Sequence, residues 1–329
     1  MSKGFWEKLK RPIIALAPMA DVTDAAFRRI IAKYSKPAGP DVMFTEFVSA
    51  DGLCSAGRPR LLADLSYTDA ERPIVAQLFS GRPEKMEEAA ALVARLGFDG
   101  LDINMGCPDR SIEKSGAGAA LIKDSHRARE IIRAAMRGAP TLPVSVKTRI
   151  GYNKDELETW LPELIAEGPV AVTIHARTRK EMSDVPAHWD RIKRAVEIRD
   201  ALRSRTLILG NGDVESVADA RAKAAETGAD GVMLGRAIFG TPWLFQYSGE
   251  YGNRFGGEVG MEVRERLQIM CEHAELFEKL FTGHKNFSVM KKHFKAYVNG
   301  FDGAKELRAK LMETNSAKEA REIIRSFKF

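Results

Sequence analysis

The chain has 329 residues, with 51 Lys plus Arg against 45 Asp plus Glu, a formal charge of +6 and a pI near 9.1. Its 44% hydrophobic and 29% charged content excludes a disordered or fibrous chain. No apolar run approaches the roughly 18 to 20 residues that span a bilayer. The opening residues contain no apolar secretory segment, and Cys54, Cys107 and Cys271 are scattered with no C-x-x-C pair. A disulfide framework and a metal site are therefore not expected, and a reducing cytoplasm is.

Short apolar, β-branched runs predict strands at 13–17, 42–45, 74–79, 100–103, 144–148, 171–175, 206–209 and 231–234. Their starts lie 25 to 44 residues apart, room for a strand plus a crossover helix. Eight such units predict a (β/α)8 barrel of about 250 residues, with an open doubly wound sheet as the alternative. Between the third and fourth strands, Met86, Ala89, Ala90, Val93 and Leu96 fall on one face of a helix over 84–96. The catalytic barrel is expected over 1–245 and a Gly-rich linker over 246–260.

An all-helical unit is expected over 261–329. Val263, Leu267, Met270, Ala274, Phe277 and Phe281 alternate steps of four and three, a narrow apolar seam. Phe287, Met290, Phe294 and Tyr297 repeat it, and two shorter helices fit 304–313 and 317–327. From His284 onward there are eleven Lys or Arg against five Asp or Glu, so this stretch holds the whole formal excess. Solvated helix faces would explain it, and so would a grip on a polyanion such as RNA, with Lys291, Lys292 and Lys295 in contact with phosphates. No apolar stripe demands a dimer, so a monomer is expected.

In a (β/α)8 barrel, chemistry sits at the carboxyl ends of the strands. Those ends are polar here: Asn104 and Cys107 after the fourth strand, Lys147 and Arg149 after the fifth, His175 and Arg177 after the sixth. Asn211, Gly212 and Asp213 follow the seventh, and Gly235 and Arg236 the eighth. The last two loops form the usual phosphate site of such barrels, where glycine lets backbone N–H groups approach closely and Arg236 adds a cation. A phosphorylated cofactor is the natural occupant. Cys107, exposed at a strand end with no base beside it, suits a general acid better than a nucleophile.

The chain resembles the tRNA-dihydrouridine synthases. The motifs are Ala17-Pro18-Met19-Ala20-Asp21-Val22-Thr23-Asp24, Asn104-Met105-Gly106-Cys107-Pro108, Gly116-Ala117-Gly118-Ala119-Ala120-Leu121, Lys147-Thr148-Arg149, His175-Ala176-Arg177-Thr178, Gly210-Asn211-Gly212-Asp213 and Leu234-Gly235-Arg236-Ala237. The stretch from Met290 to Arg308 is similar to the family's tRNA-binding helices. The resemblance implies FMN held by Pro18, Met19, Ala20, Gln77, Lys147, His175, Asn211, Gly212, Asp213, Gly235 and Arg236, with NADPH as reductant. It also implies Cys107 as the acid that protonates uracil C5, and Asn104, Arg149 and Arg177 as residues facing the base. Two departures, Ala176 for a usual Gly and Met182-Ser183-Asp184 in the next loop, bear on substrate position. A flavin barrel acting on free pyrimidines would share the strand-end cysteine, but would have no use for the basic helices.

Overall fold

The computed structural model describes residues 4–248 and 262–327; of the linker expected over 246–260, residues 249–260 lie outside the described residues. Eight parallel strands form one sheet: β1 (Ile13–Leu16), β2 (Met43–Ser49), β3 (Ile74–Phe79), β4 (Gly100–Met105), β5 (Val144–Arg149), β6 (Ala171–His175), β7 (Leu207–Asn211) and β8 (Gly231–Leu234). From β2 to β8 each strand pairs with the next in sequence, and β1 pairs with β8. The ring closes between β1 and β2 through a lone bridge, Ala15 to Val42, with Leu16 N donating to Val42 O at 3.0 Å. This is the (β/α)8 barrel expected from the spacing.

Strand alternation divides the core in two. Ile14, Leu16, Leu101 and Ile103 point outward into the layer beneath the helices. Ile13, Ala15, Phe44, Val75, Leu209 and Met233 fill the lower barrel, stoppered by the buried Trp6 of the N-terminal turn Gly4–Lys8. Above this layer the inward positions of β3 to β5 are Gln77, Asp102, Asn104, Ser145 and Lys147. The register sets Gln77 beside Asp102, Asp102 beside Ser145, and Asn104 beside Lys147. The barrel is thus apolar below and polar above.

Capping residues start and stop the helices that carry the loops. Asp24 accepts from Phe27 N to begin Ala25–Ser35, which ends two residues before Pro37. Helix Val217–Thr227 begins at Ser216, which accepts from Asp219 N, and stops at the left-handed Gly228. The predicted helix over 84–96 is found at Pro83–Arg95, with Met86, Ala89, Ala90 and Val93 buried.

Four helices follow: Val263–Phe281, Met290–Tyr297, Ala304–Met312 and Ala317–Ser326. The seam of the first buries Leu267, Met270, Ala274, Phe277 and Phe281, the large members contributing about 1.5–3 kcal/mol each. It packs on helix Ala25–Ser35, where Phe27 stacks on His273 at 4.8 Å between ring centres and meets His293 edge-on. No helix among the described residues is long and apolar enough to cross a membrane.

His273 and His293 are fully buried and no ring nitrogen of either has a protein hydrogen-bonding partner. Burial pushes both below the ordinary histidine range, His293 to about 3. Since the unfolded chain binds these protons first, stability is complete above the unfolded histidine pKa of about 6.5 and falls as pH drops toward the folded values. The slope is about 1.4 kcal/mol per pH unit for each ring. His293→Phe keeps the ring and removes one term, so its melting temperature, followed by circular dichroism, will fall less steeply with acid than that of the wild type.

Candidate active site

The carboxyl ends of β1 and β5 to β8 surround a cleft of about 660 Å³. Pro18, Met19, Lys147, His175, Asn211, Gly212, Asp213, Gly235 and Arg236 line it, and so does Arg177. Two of the expected cofactor residues stand apart from this lining. Ala20 is exposed in the loop after β1, and Gln77 is wholly buried in the polar layer.

The walls are cationic. Lys147 Nζ donates to Asn211 Oδ1 at 3.1 Å, and Asn211 is held in turn by its amide on Met233 O at 2.8 Å. Burial first, and Arg149 second, bring Lys147 down to about 8, so it is still mostly charged at neutral pH. His175 is driven down to about 2 by burial and then by Lys147, Arg149, Arg177 and Arg236, and is neutral. Its Nε2 lies 3.2 Å from Arg177 Nη1, a group that can only donate. His175 therefore accepts at Nε2 and carries its proton on Nδ1.

Asp213 is the carboxylate that pairs with the lining arginines, and Glu215 is a second acid in the lining. Asp213 binds Arg177 Nη2 through Oδ2 and Arg236 Nη2 through Oδ1, the latter at 2.5 Å, and its pKa is held below the usual carboxylate range, chiefly by Arg177. Gly212 has a φ of +123°, and a Cβ there would stand 2.9 Å from Ala187 and 3.2 Å from the His175 ring. Only glycine fits this turn. Arg236 is largely exposed and Asp213 is its ion-pair partner, so its guanidinium can turn to an incoming anion.

Cys107 stands on the loop after β4, four strands from β8 in the ring, and so across the mouth from Gly235 and Arg236. Its backbone is fixed at both ends: Cys107 N donates to Asn104 Oδ1 at 2.9 Å, and Cys107 O accepts from Ala119 N at 2.9 Å. Burial raises the thiol pKa, with Arg149 and Lys147 among the groups opposing that. Gly118, at φ +60°, is part of the same loop, and a Cβ there would come within 2.7 Å of Cys107 O.

The residues expected to face uracil are tied into the scaffold. Asn104 supports the Cys107 backbone. Arg149, 7% exposed, donates from Nε to Gly106 O and from Nη1 to Thr178 O and Met182 O. Arg177, 2% exposed, donates from Nε to Val185 O at 2.6 Å. Met182, in the loop singled out from the sequence, is exposed at a φ of +51°.

Lys291, Lys292 and Lys295 lie on the outer side of helix Met290–Tyr297, opposite the buried His293, Phe294 and Tyr297. Lys292 Nζ is 3.9 Å from Asp21, just beyond Met19 and Ala20. A joint the sequence reading missed lies beside it. Lys285 Nζ reaches Glu46 Oε2 on β2 at 2.6 Å and Asp64 at 3.0 Å, while Glu46 Oε1 accepts from Asp21 N at 2.5 Å. Arg28, fully buried, steadies the same β1 loop by donating to Thr23 O, Ser66 O and Glu71. An acid inside an apolar strand, as at Glu46 and Asp102, is the signal that could have found these residues.

The whole barrel and the helices after it match the family model described as dihydrouridine synthase, over residues 15–328. The chain is 39% identical to a probable tRNA-dihydrouridine synthase of Staphylococcus epidermidis over 99% of its own length and 97% of that protein's. It is 37% identical to probable tRNA-dihydrouridine synthase 2 of Bacillus subtilis, with the same shares covered. Among solved structures, histamine dehydrogenase from Rhizobium sp. 4-9 shares the fold at a TM-score of 0.51 and 16% identity, over 70% of this chain and 45% of that one. With a family match that takes in the cleft, the Cys107 loop and the basic helices together, this chain belongs to the dihydrouridine synthase family.

Proposed function

We propose that the protein reduces the C5–C6 double bond of uridine in tRNA to dihydrouridine, as an FMN enzyme supplied with electrons by NADPH. The observation that carries this reading is the meeting of three features on one rim: a cationic cleft, a thiol across the mouth from it, and a basic helix against the β1 loop. Curated tRNA-dihydrouridine synthases align with the chain from end to end, helices included, which favours tRNA over a free base. The cytoplasm is the expected compartment for such a substrate.

The donor set suits a flavin mononucleotide. Lys147, Arg177 and Arg236 set three cations against two carboxylates, Asp213 and Glu215, which still leaves positive charge for a phosphate. A cleft of about 660 Å³ lies within the range of small cofactor sites. In this reading Gly235 and Arg236 take the phosphate, Pro18 and Met19 border the ring system, and Lys147 and His175 address its polar edge. When bound, the flavin supplies a hydride to the uracil double bond.

This chain's own part is to present the base and to move a proton. A stacked uridine is out of reach, so the base must be extruded into the mouth, with Lys291, Lys292 and Lys295 on the surrounding phosphates. The helices over 261–329 act as the tRNA-holding unit and 1–245 as the catalytic one. Cys107, kept protonated by burial, gives its proton to C5, and Arg149 and Lys147 stabilise the thiolate left behind. Asn104 has a second amide hydrogen to offer the uracil, while Arg149 and Arg177 contribute charge from fixed positions.

Mass spectrometry of tRNA from cells with and without the protein tests the substrate: one dihydrouridine position will be lost with it. Uracil reduction in the absence of tRNA, with tRNA left unmodified, would overturn the reading in favour of a free-pyrimidine enzyme. Denaturing the purified protein will release stoichiometric FMN. Arg236→Ala will weaken FMN binding roughly tenfold, measured by recovery of flavin fluorescence.

A further inference from the structure

We propose that Asp102, deep in the barrel, is the positioning residue that sets where Cys107 stands, acting through Gln77 and Asn104; this rests on the acid role given to Cys107 above.

Asp102 is fully buried on β4, flanked by Gln77 of β3 and Ser145 of β5. An ionised carboxylate only accepts hydrogen bonds. Its Oδ1 accepts from Ser145 Oγ at 2.5 Å and its Oδ2 from Gln77 Nε2 at 2.6 Å. The Gln77 amide, having turned its nitrogen to the carboxylate, must turn its oxygen the other way. That oxygen accepts from Asn104 Nδ2 at 3.1 Å. Asn104 is oriented in the same manner, and its Oδ1 accepts from Gly106 N at 3.1 Å and from Cys107 N at 2.9 Å.

The polarity of each link is dictated by the one beneath it. A flip of either amide would set N–H against N–H, first inside the chain and then at the Cys107 backbone. One carboxylate therefore determines two side-chain orientations and the seat of the thiol. A carboxylate in this layer is costly compared with an apolar residue of similar size, so its presence calls for a task that an apolar residue could not perform. Burial lifts Asp102 to about 6, with Ser145 and Gln77 opposing the rise, so it remains largely ionised at neutral pH. It does not line the cleft, and its effect on the reaction passes through Asn104.

The test uses the purified full-length holoenzyme with Asp102→Leu and Asp102→Asn. Two readouts are taken: iodoacetamide labelling of the Cys107 peptide by mass spectrometry across pH, and kcat and KM for tRNA. Asp102→Leu will shift the labelling rate and its pH profile and lower kcat roughly tenfold with KM unchanged, because the thiol is displaced but the tRNA surface is not. Asp102→Asn will stay near wild type, since the Ser145 hydroxyl can turn to accept from the new amide and leave its oxygen on Gln77. A folded Leu variant with wild-type labelling and kcat overturns the proposal. So does an Asn variant as impaired as the Leu variant, which would make charge rather than polarity the cause.

If Asp102→Leu does not fold, Asp102→Asn combined with Ser145→Val removes the acceptor for the new amide. That pair will reproduce the loss while Ser145→Val alone will not, and wild-type behaviour of the pair overturns the proposal. Failure of the underlying reading looks different. Should Cys107 not be the acid, Cys107→Ala will retain turnover while the Asp102 variants still alter labelling of Cys107.

Discussion

Cys107→Ala will retain its flavin and bind tRNA, yet its rate of dihydrouridine formation at neutral pH will fall by about 10²–10⁴-fold, the usual scale for losing a positioned general acid. The geometry sets this expectation. The thiol stands across the mouth from the cationic cleft, its backbone is held by Asn104 and Ala119, and the change to alanine touches neither the cleft walls nor the basic helix. The working form is the thiol, and burial raises its pKa. Wild-type activity will thus hold through neutral pH and fall on the alkaline side, above the usual thiol range, and that limb will be absent from the residual activity of the variant. Single-turnover assays across pH check both statements; wild-type rates from Cys107→Ala would remove it from the acid role.

Replacing Lys291, Lys292 and Lys295 together with alanine will leave the flavin spectrum unchanged and weaken tRNA binding by about one to two orders of magnitude at moderate salt. The plot of log affinity against log salt will also flatten by roughly 2 to 3, in proportion to the phosphate contacts removed. All three side chains lie on the outer side of a helix whose other side is buried through His293, Phe294 and Tyr297, so the substitutions do not disturb packing. Filter binding across a salt titration measures both quantities. An unchanged slope would mean that these lysines are only a solvated helix face.

The barrel was legible because parallel strands buried on both faces read as short apolar, β-branched runs, and all eight stand where those runs predicted them. Strand ends were legible for a related reason: once the strands are in order, every carboxyl end must reach the same rim. What each polar side chain does there was not legible, because that depends on register and on backbone carbonyls in other loops. Arg149 reads from sequence as a cation at a strand end, yet its donors go to Gly106, Thr178 and Met182. Gln77 reads as a cofactor contact and is bonded to Asp102, a partner assigned only by pairing of β3 with β4. The Trp6 stopper had no periodic signal at all.

The joint at Glu46 bears on the order in which the molecule can be completed. The ring is weakest between β1 and β2, where one bridge replaces a ladder, and Glu46 and the loop after β1 are tied across that seam. Glu46 is almost wholly buried near Asp24, which burial and then Glu46 lift to about 7, and the cation that answers this acidity, Lys285, comes 239 residues later in the chain. During synthesis the barrel strands emerge well before that lysine does. Until that lysine has emerged the seam keeps a knot of carboxylates without its main cation, so the segment after the barrel is what locks the first two strands in place.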